Sequence, residues 1–472
     1  MTDVILVVDL GTQSIRGTAL DRDGHVWFQQ SHPIATDREA GRCEQDPLVW
    51  RDRLHDLLAE ARRSLGSRIR AMTATGTLSG LVCLDDAGRP LRPAIMYGDQ
   101  RSRGQAARIQ ADAAFPNQGG WRAHSCDFLP QLLYLAEQEP EIYRRSRHVL
   151  DSTGYLNFLL IGQMTMDAYT RFHCYADPAR HDLPSALLRN FGLEASRLGR
   201  LTEPGEMLPG PGGTPVIMTT FDSVCAYLGA GLSAFGDALD ISGTVTSFGV
   251  LHSRCVADPQ RRVYSLPWTG GNWLIRGSTA MSGGVLEWAR REIVGGGFEE
   301  FDALVGQSRP GSGGVVFLPY LAGERAPIWS ENACGTFFGL RPETTRADMA
   351  RSVYEGLSFS LRHIQTIIEE QGVTIGTVRL AGGLARNGFL NRIKADITGR
   401  TVRTVRNLEL TTLGCAAVAG VAVDWYADLE DAHGRLLELC PEITPDPGVA
   451  EIYGESFRLY RDLVTALDPL FA

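Results

Sequence analysis

The sequence predicts an α/β protein in two domains, each a mixed sheet carrying helices. Three observations lead there. An apolar run that ends in Asp, then Gly, then hydroxyl residues occurs twice: residues 4–14 read VILVVDLGTQS and residues 238–247 read ALDISGTVTS. Strand-like and helix-like stretches alternate in both halves. The chain has 472 residues, more than one ordinary core organises.

The elements follow in order. Residues 4–8 and 15–20 are strand-like, and Asp21-Arg22-Asp23-Gly24-His25 is a hairpin turn before a strand over 26–29. Residues 47–65 place Leu48, Trp50, Leu54, Leu57, Leu58 and Ala61 on one helical face, with Asp46 as N-cap and Pro47 at the first helical position. Strands follow at 69–75 and 80–84, and helices at 130–139, 141–147 and 154–161. The Gly- and Pro-rich stretch 204–215 reads as a loop, and 216–220 as a strand leading into Phe221-Asp222. A glycine-bearing stretch at 226–236 marks the change of domain, giving domains over 1–233 and 234–472. The second half has strands at 315–318, 377–381 and 403–405 and helices over 344–370, 389–399 and 411–427.

Composition excludes several classes. A formal net charge of -9 argues against a nucleic-acid partner. No apolar stretch approaches the roughly 20 residues needed to span a bilayer, and the N-terminus lacks the basic region of a signal peptide. Nine scattered cysteines without a C-x-x-C pair fit reduced core thiols of a cytoplasmic protein. Lys394 is the single lysine of the chain and follows no glycine-rich loop. A Walker A loop and the strand lysine of a protein kinase are both excluded, so any ATP chemistry here needs another phosphate grip.

The two repeated bends suggest that grip. Glycine lets backbone N–H groups approach a phosphate, and Thr or Ser adds hydroxyl donors. Two such turns facing each other would hold a polyphosphate from both sides.

The order of further segments resembles the FGGY carbohydrate kinases over nearly the whole chain. Asp9-Leu10-Gly11-Thr12-Gln13-Ser14-Ile15-Arg16 is similar to that family's first phosphate loop. Glu44-Gln45-Asp46-Pro47 with Trp50 resembles its E-Q-D-P-x-x-W segment, and 93–101 (PAIMYGDQR) its P-A-I-x-W-x-D-x-R segment. Gly335-Thr336-Phe337-Phe338-Gly339-Leu340, followed by Asp348-Met349 and Ser352-Val353-Tyr354-Glu355, matches its C-terminal signature. The sequence departs from the family at Gln131 and Tyr134, where Lys and Trp are usual. It departs again at Leu78-Ser79, where xylulose kinases carry Met-His.

The resemblance implies two actin/hexokinase-like (ribonuclease H-like) domains with an interdomain cleft. It implies a kinase that transfers the γ-phosphate of ATP to a ketose, a ketopentose such as xylulose or ribulose. Asp222 would be the catalytic base and would also touch the sugar; by position alone the N-cap reading is favoured over the base. Asp9 would hold Mg2+ through water. Gly11, Thr12, Gln13, Ser14 and Arg16 would contact phosphates, as would Gly243 and Thr244 from the second domain. Gly284, Gly382, Gly383 and Asn387 would complete the ATP site. Leu78, Ser79, Asp99 and Arg101 would contact substrate, and a homodimer is the family-level expectation. His124 and His173 read as structural or surface residues. Two alternatives stand: a kinase of another polyol or modified sugar (glycerol, erythritol, an autoinducer-like tetrol), and a non-catalytic actin-like ATP-binding module.

Overall fold

The structure, a computed structural model, describes residues 2–116, 118–177, 181–406 and 409–471. The chain forms two compact units. One comprises residues 1–117, 122–231 and 409–437; the other comprises 118–121, 232–408 and 438–472.

The first unit is built on a six-stranded sheet. β1 (Val4–Leu10) is buried at every position and forms an antiparallel hairpin with β2 (Ser14–Leu20). β3 (Val26–Pro33) continues antiparallel to β2 and is longer than its short apolar core suggested, because its outer residues face solvent. α1 (Pro47–Leu65) buries Trp50, Leu54, Leu57, Leu58 and Ala61, the face read from the sequence. Asp46 accepts the Leu48 N–H at its start, and Gly66 at φ 58° ends it. Leu57 fills the space above Gly17, where a Cβ would lie 2.4 Å from the leucine. β4 (Ile69–Gly76) runs parallel to β1.

Among the helices that follow are α2 (Phe128–Gln138) and α3 (Ser152–Ile161). The stretch read as a loop at 204–215 contains a short strand, β5 (Met207–Pro209), which pairs with β6 (Pro215–Ile217). Pro209 and Pro215 are register partners at its end, where a missing donor costs little. β6 stops at Ile217, earlier than expected, and α4 (Asp222–Gly229) begins five residues on. The sheet order is β5-β6-β4-β1-β2-β3.

The second unit repeats this plan. β7 (Ala238–Ser242) and β8 (Thr246–His252) form the hairpin. β9 (Tyr264–Pro267) and β10 (Trp273–Ser278) extend it, with β10 antiparallel to β8. Helices α5 (Gly283–Ala289) and α6 (Arg346–Glu370) precede β11 (Val378–Ala381), which is parallel to β7. α7 (Gly388–Thr398) and β12 (Val402–Thr404) complete the sheet, ordered β9-β10-β8-β7-β11-β12. The runs β3-β2-β1-β4-β6 and β10-β8-β7-β11-β12 have the same sequence of antiparallel and parallel neighbours. Both units are therefore α/β and share one topology, the duplication that the two strand–turn segments predicted.

The chain then returns to the first unit as α8 (Leu410–Ala422), which packs on α4. This return departs from the simple division at 233/234. α8 also ends before residue 427, because Trp425 N–H turns back to the Gly420 carbonyl. Its small residues explain the packing: a Cβ on Gly414 would sit 1.9 Å from the Cys225 carbonyl oxygen, and one on Gly229 2.0 Å from that of Leu410. The two helices meet backbone to backbone. α9 (Ala450–Leu467) closes the chain against the core of the second unit. All nine cysteines are free, and no described helix is long and apolar enough to cross a membrane.

Candidate active site

In the first unit the β1–β2 hairpin sets Asp9 opposite Arg16. Asp9 is almost fully buried, and Arg16 Nη2 lies 3.0 Å from its Oδ2. Burial raises the Asp9 carboxyl above its ordinary value, against the lowering by Arg16. The other arm of Arg16 reaches Glu409 at 3.5 Å, a residue that precedes α8. Between the strands, Gly11 N–H closes a tight turn on the Ser14 carbonyl, leaving Thr12 and Gln13 exposed.

The E-Q-D-P-x-x-W match has a physical reason. Gln45 Nε2 donates to the Thr12 carbonyl at 2.8 Å and to Thr36 Oγ1 at 2.8 Å, while its Oε1 accepts from Trp50 Nε1 at 2.9 Å. One buried glutamine fastens the exposed turn to the first helix.

Asp222 opens α4 and is partly buried. Its carboxylate accepts the backbone N–H of Ser223 at 2.6 Å and that of Leu78. Burial, and then the negative charge of Asp9, pushes its pKa up to about 7. The N-cap position itself is taken by Phe221. A partly open carboxylate poised near neutrality can accept a proton from an alcohol.

Leu78 and Ser79 lie beside it on a strained segment, with Ser79 at φ 66° and Gly80 at φ 63°. The start of α3 holds this segment: Ser152 Oγ donates to the Thr77 carbonyl at 2.6 Å, and a Cβ on Gly80 would lie 2.9 Å from Ser152. The Ser79 hydroxyl is buried and donates to the Cys126 carbonyl. Its side chain is thereby committed to the protein, and Leu78 is the more accessible of the two.

Asp99 is likewise turned inward. Oδ1 accepts Arg101 N–H and Nε, both at 3.0 Å, and Oδ2 accepts Arg101 Nη2 at 2.7 Å and Cys43 N–H at 2.9 Å. Arg101 also pairs with Glu44, which pairs with Arg92; Arg92 in turn meets Glu139. Arg101 keeps 21% of its side chain exposed and lies over the Tyr134 ring at 5.2 Å. Gln131 Nε2 donates to the Met96 carbonyl at 3.2 Å. The two departures from the family pattern on α2 thus both bear on the 93–101 segment. His173 is buried with Nδ1 3.3 Å from Asp127.

In the second unit Gly382 and the 282–283 segment pack against the Ser242–Thr244 bend. Gly283 N–H donates to the Gly243 carbonyl at 2.8 Å, and Ser282 N–H to the Thr244 carbonyl at 2.7 Å. A Cβ on Gly382, at φ 83°, would lie 2.5 Å from the Ser242 carbonyl oxygen. Gly283, rather than Gly284, touches the bend; Gly284 packs on Met281. Gly243 and Gly383 face open space where a Cβ would stand, and Thr244 is exposed. That open, glycine-lined surface fits a phosphate chain.

Asn387 serves a different purpose here. Its Oδ1 caps α7 by accepting Leu390 N–H, and its Nδ2 donates to Asp302 at 2.8 Å and to Tyr354 OH at 3.0 Å. Glu324, from the 319–327 segment, is buried, accepts Ala280 N–H at 2.6 Å, and has its pKa pushed up to about 7 by burial.

Sequence reasoning placed Gln45 and Glu324 in family-like segments without giving them a role, and missed Glu409 and the partners of Lys394. Lys394 stood out only as an argument against other kinases. No local signal marks Glu409.

Comparison with known proteins defines the class. Residues 4–229 match the N-terminal domain model of the FGGY family of carbohydrate kinases, and residues 238–423 match the C-terminal one. The chain belongs to the FGGY family of carbohydrate kinases. It is 30% identical to a xylulose kinase of Streptomyces rubiginosus over 442 residues, covering 88% of this chain and 87% of that one. A gluconokinase of Bacillus subtilis is 23% identical over 498 residues, covering 99% and 97%. The crystal structure of xylulose kinase from Rhodospirillum rubrum superposes with a TM-score of 0.92 at 26% identity, covering 99% of each chain.

Proposed function

We propose that this sugar kinase phosphorylates a ketopentose, xylulose or ribulose, with ATP and Mg2+. The observation that carries the reading is the partly buried Asp222, next to Asp9 and bonded to Leu78 N–H, in a chain similar to xylulose kinases over nearly its full length.

Residues 1–233 would bind the sugar, present the first phosphate loop and supply the base. Residues 234–472 would supply the second phosphate loop and the adenosine site, apart from 409–437, which complete the first unit. Asp222 accepts the proton of the attacking hydroxyl as its oxygen bonds to the γ-phosphorus, and the bond from that phosphorus to the β,γ-bridging oxygen breaks with ADP as the leaving group. Asp9 would hold, through water, an Mg2+ that would supply neutralisation of the phosphate charge. Arg16, now paired with Asp9, is the cation that can pass to phosphate oxygens. Thr12, Gln13 and Ser14 offer donors from the exposed turn. The Gly243–Thr244 bend cradles phosphate from the second unit.

The substrate contacts divide. Leu78 and Arg101 are accessible enough to meet a sugar, while Asp99 orients Arg101 and Ser79 fixes the strained segment. A neutral sugar suits this pocket better than an acid sugar, because Arg92 and Arg101 are already matched by Glu44, Asp99 and Glu139. The gluconokinase relative favours the acid-sugar alternative.

The test is ATP-dependent phosphorylation of a panel containing D-xylulose, D- and L-ribulose, D-gluconate, glycerol and erythritol, with products identified by mass. The proposal expects the highest kcat/KM on a ketopentose. Preferential turnover of gluconate or of a polyol refutes the substrate.

A further inference from the structure

The single lysine of the chain is buried beneath the second phosphate bend. Lys394 Nζ, on α7, lies 2.6 Å from Asp240 Oδ2 and 2.9 Å from Ser242 Oγ. Asp240 is wholly inaccessible and Lys394 nearly so. Removing one member of such a pair leaves an uncompensated charge in the core.

The pair anchors a string of buried hydroxyls whose direction can be read. Ser242 has one hydroxyl hydrogen, and it goes to Asp240 Oδ1 at 2.6 Å. In the 3.0 Å contact with Thr246 Oγ1, Thr246 is therefore the donor. Its hydrogen is then used, so Ser282 donates in the 2.8 Å contact with Thr246. By the same count Thr279 donates to Ser282 at 3.0 Å, and Thr279 Oγ1 accepts Thr246 N–H at 2.9 Å. Each of these side chains is buried. With every hydroxyl donating one way, the string stiffens both ends of the hairpin and the 279–283 segment that bonds the bend.

We propose that Lys394 is a positioning residue for the nucleotide. Through Asp240 and Ser242 it sets the polarity of the hydroxyl string and so fixes the Ser242–Thr244 bend against Gly283 and Gly382. This rests on the reading of that bend as a phosphate site. Lys394 touches no reacting atom; it acts through the loop.

The test measures binding of a non-hydrolysable ATP analogue with Mg2+ by calorimetry, without sugar, beside KM values for ATP and sugar and the melting temperature. The variants are Lys394→Met, Thr246→Val, Thr246→Ser and Gly243→Leu. Thr246→Val breaks the string and keeps the ion pair, so it answers the question even where Lys394→Met does not fold. The expected result is at least tenfold weaker analogue binding and a raised KM for ATP in Thr246→Val and in folded Lys394→Met. The KM for sugar should stay within twofold, and Thr246→Ser should bind like wild type.

A purely structural role would lower the melting temperature and leave both KM values in place. Wild-type analogue binding by Thr246→Val overturns the proposal. Gly243→Leu separates the two ideas, since its side chain enters open space. If it loses analogue binding while Thr246→Val binds normally, the phosphate reading stands and the Lys394 proposal falls. If Gly243→Leu itself binds normally, the phosphate reading falls, and the proposal with it.

Discussion

Asp9 and Arg16 are register partners across the first hairpin, with a guanidinium nitrogen 3.0 Å from a buried carboxylate oxygen. The pair compensates a buried charge. If Asp9 anchors the metal as proposed, Asp9→Asn removes that anchor and leaves Arg16 with Glu409 alone. A fall in kcat of roughly 100-fold or more, with a higher Mg2+ concentration for half-maximal rate, is expected. Magnesium titrations of both proteins check this.

The pH dependence follows from Asp222. Its pKa is pushed to about 7 in the folded chain, and only the deprotonated form accepts a proton. kcat/KM for sugar should fall about tenfold per unit below pH 7. Asp9→Asn removes the like charge, so the acid limb should move to lower pH. The stability sign is the reverse. A folded pKa above the unfolded value of 3.8 means that the folded chain holds more protons between those values. Stability contributed by Asp222 is full below pH 3.8 and is lost as pH rises through 7. Asp222→Asn should therefore melt no lower than wild type at pH 8, as thermal scans at pH 5 and pH 8 would read.

The contact between α4 and α8 is fixed by two glycines. Gly414→Val would drive a side chain into the Cys225 carbonyl and displace the helix that begins at Asp222. A stability loss of about 3 kcal/mol or more is expected, with loss of activity in whatever remains folded. Denaturant unfolding compared with Ala422→Val, at the half-buried end of the same helix, checks the assignment to this contact.

Gln45 ties the exposed turn to Trp50. Gln45→Leu strands the Trp50 Nε1–H and leaves the Thr12 carbonyl with the Thr36 hydroxyl alone, which should cost about 1–3 kcal/mol. The KM for ATP should rise several-fold with a smaller change in the KM for sugar. Steady-state kinetics with each substrate varied in turn separates the two.

Arg101 is held by Asp99, Glu44 and Tyr134. Arg101→Met should raise the KM for sugar at least tenfold and leave that for ATP within twofold. Tyr134→Trp should leave both nearly unchanged, because the larger ring keeps the cation–π contact.

Much of this was legible before the structure. The apolar face of α1, its Asp46 cap, and the repeated strand–turn each follow from local pattern, so the duplicated sheet did too. What failed was set by distant residues. β5 hides in a Gly- and Pro-rich stretch because its pairing with β6, not its composition, makes it a strand. The bonds of Asp99 to Cys43 N–H and of Ser79 to the Cys126 carbonyl, 56 and 47 residues away, are likewise absent from the motifs that contain them. The Lys394 string joins β7, β8, the 279–283 segment and α7, and no window of sequence contains it.

The most direct test is transfer from ATP to D-xylulose by the wild type and by Asp222→Asn, with binding of a non-hydrolysable ATP analogue measured on both. The account predicts xylulose phosphate from the wild type, at least a thousandfold lower kcat in the variant, and equal nucleotide affinity. Unimpaired turnover by Asp222→Asn would contradict it.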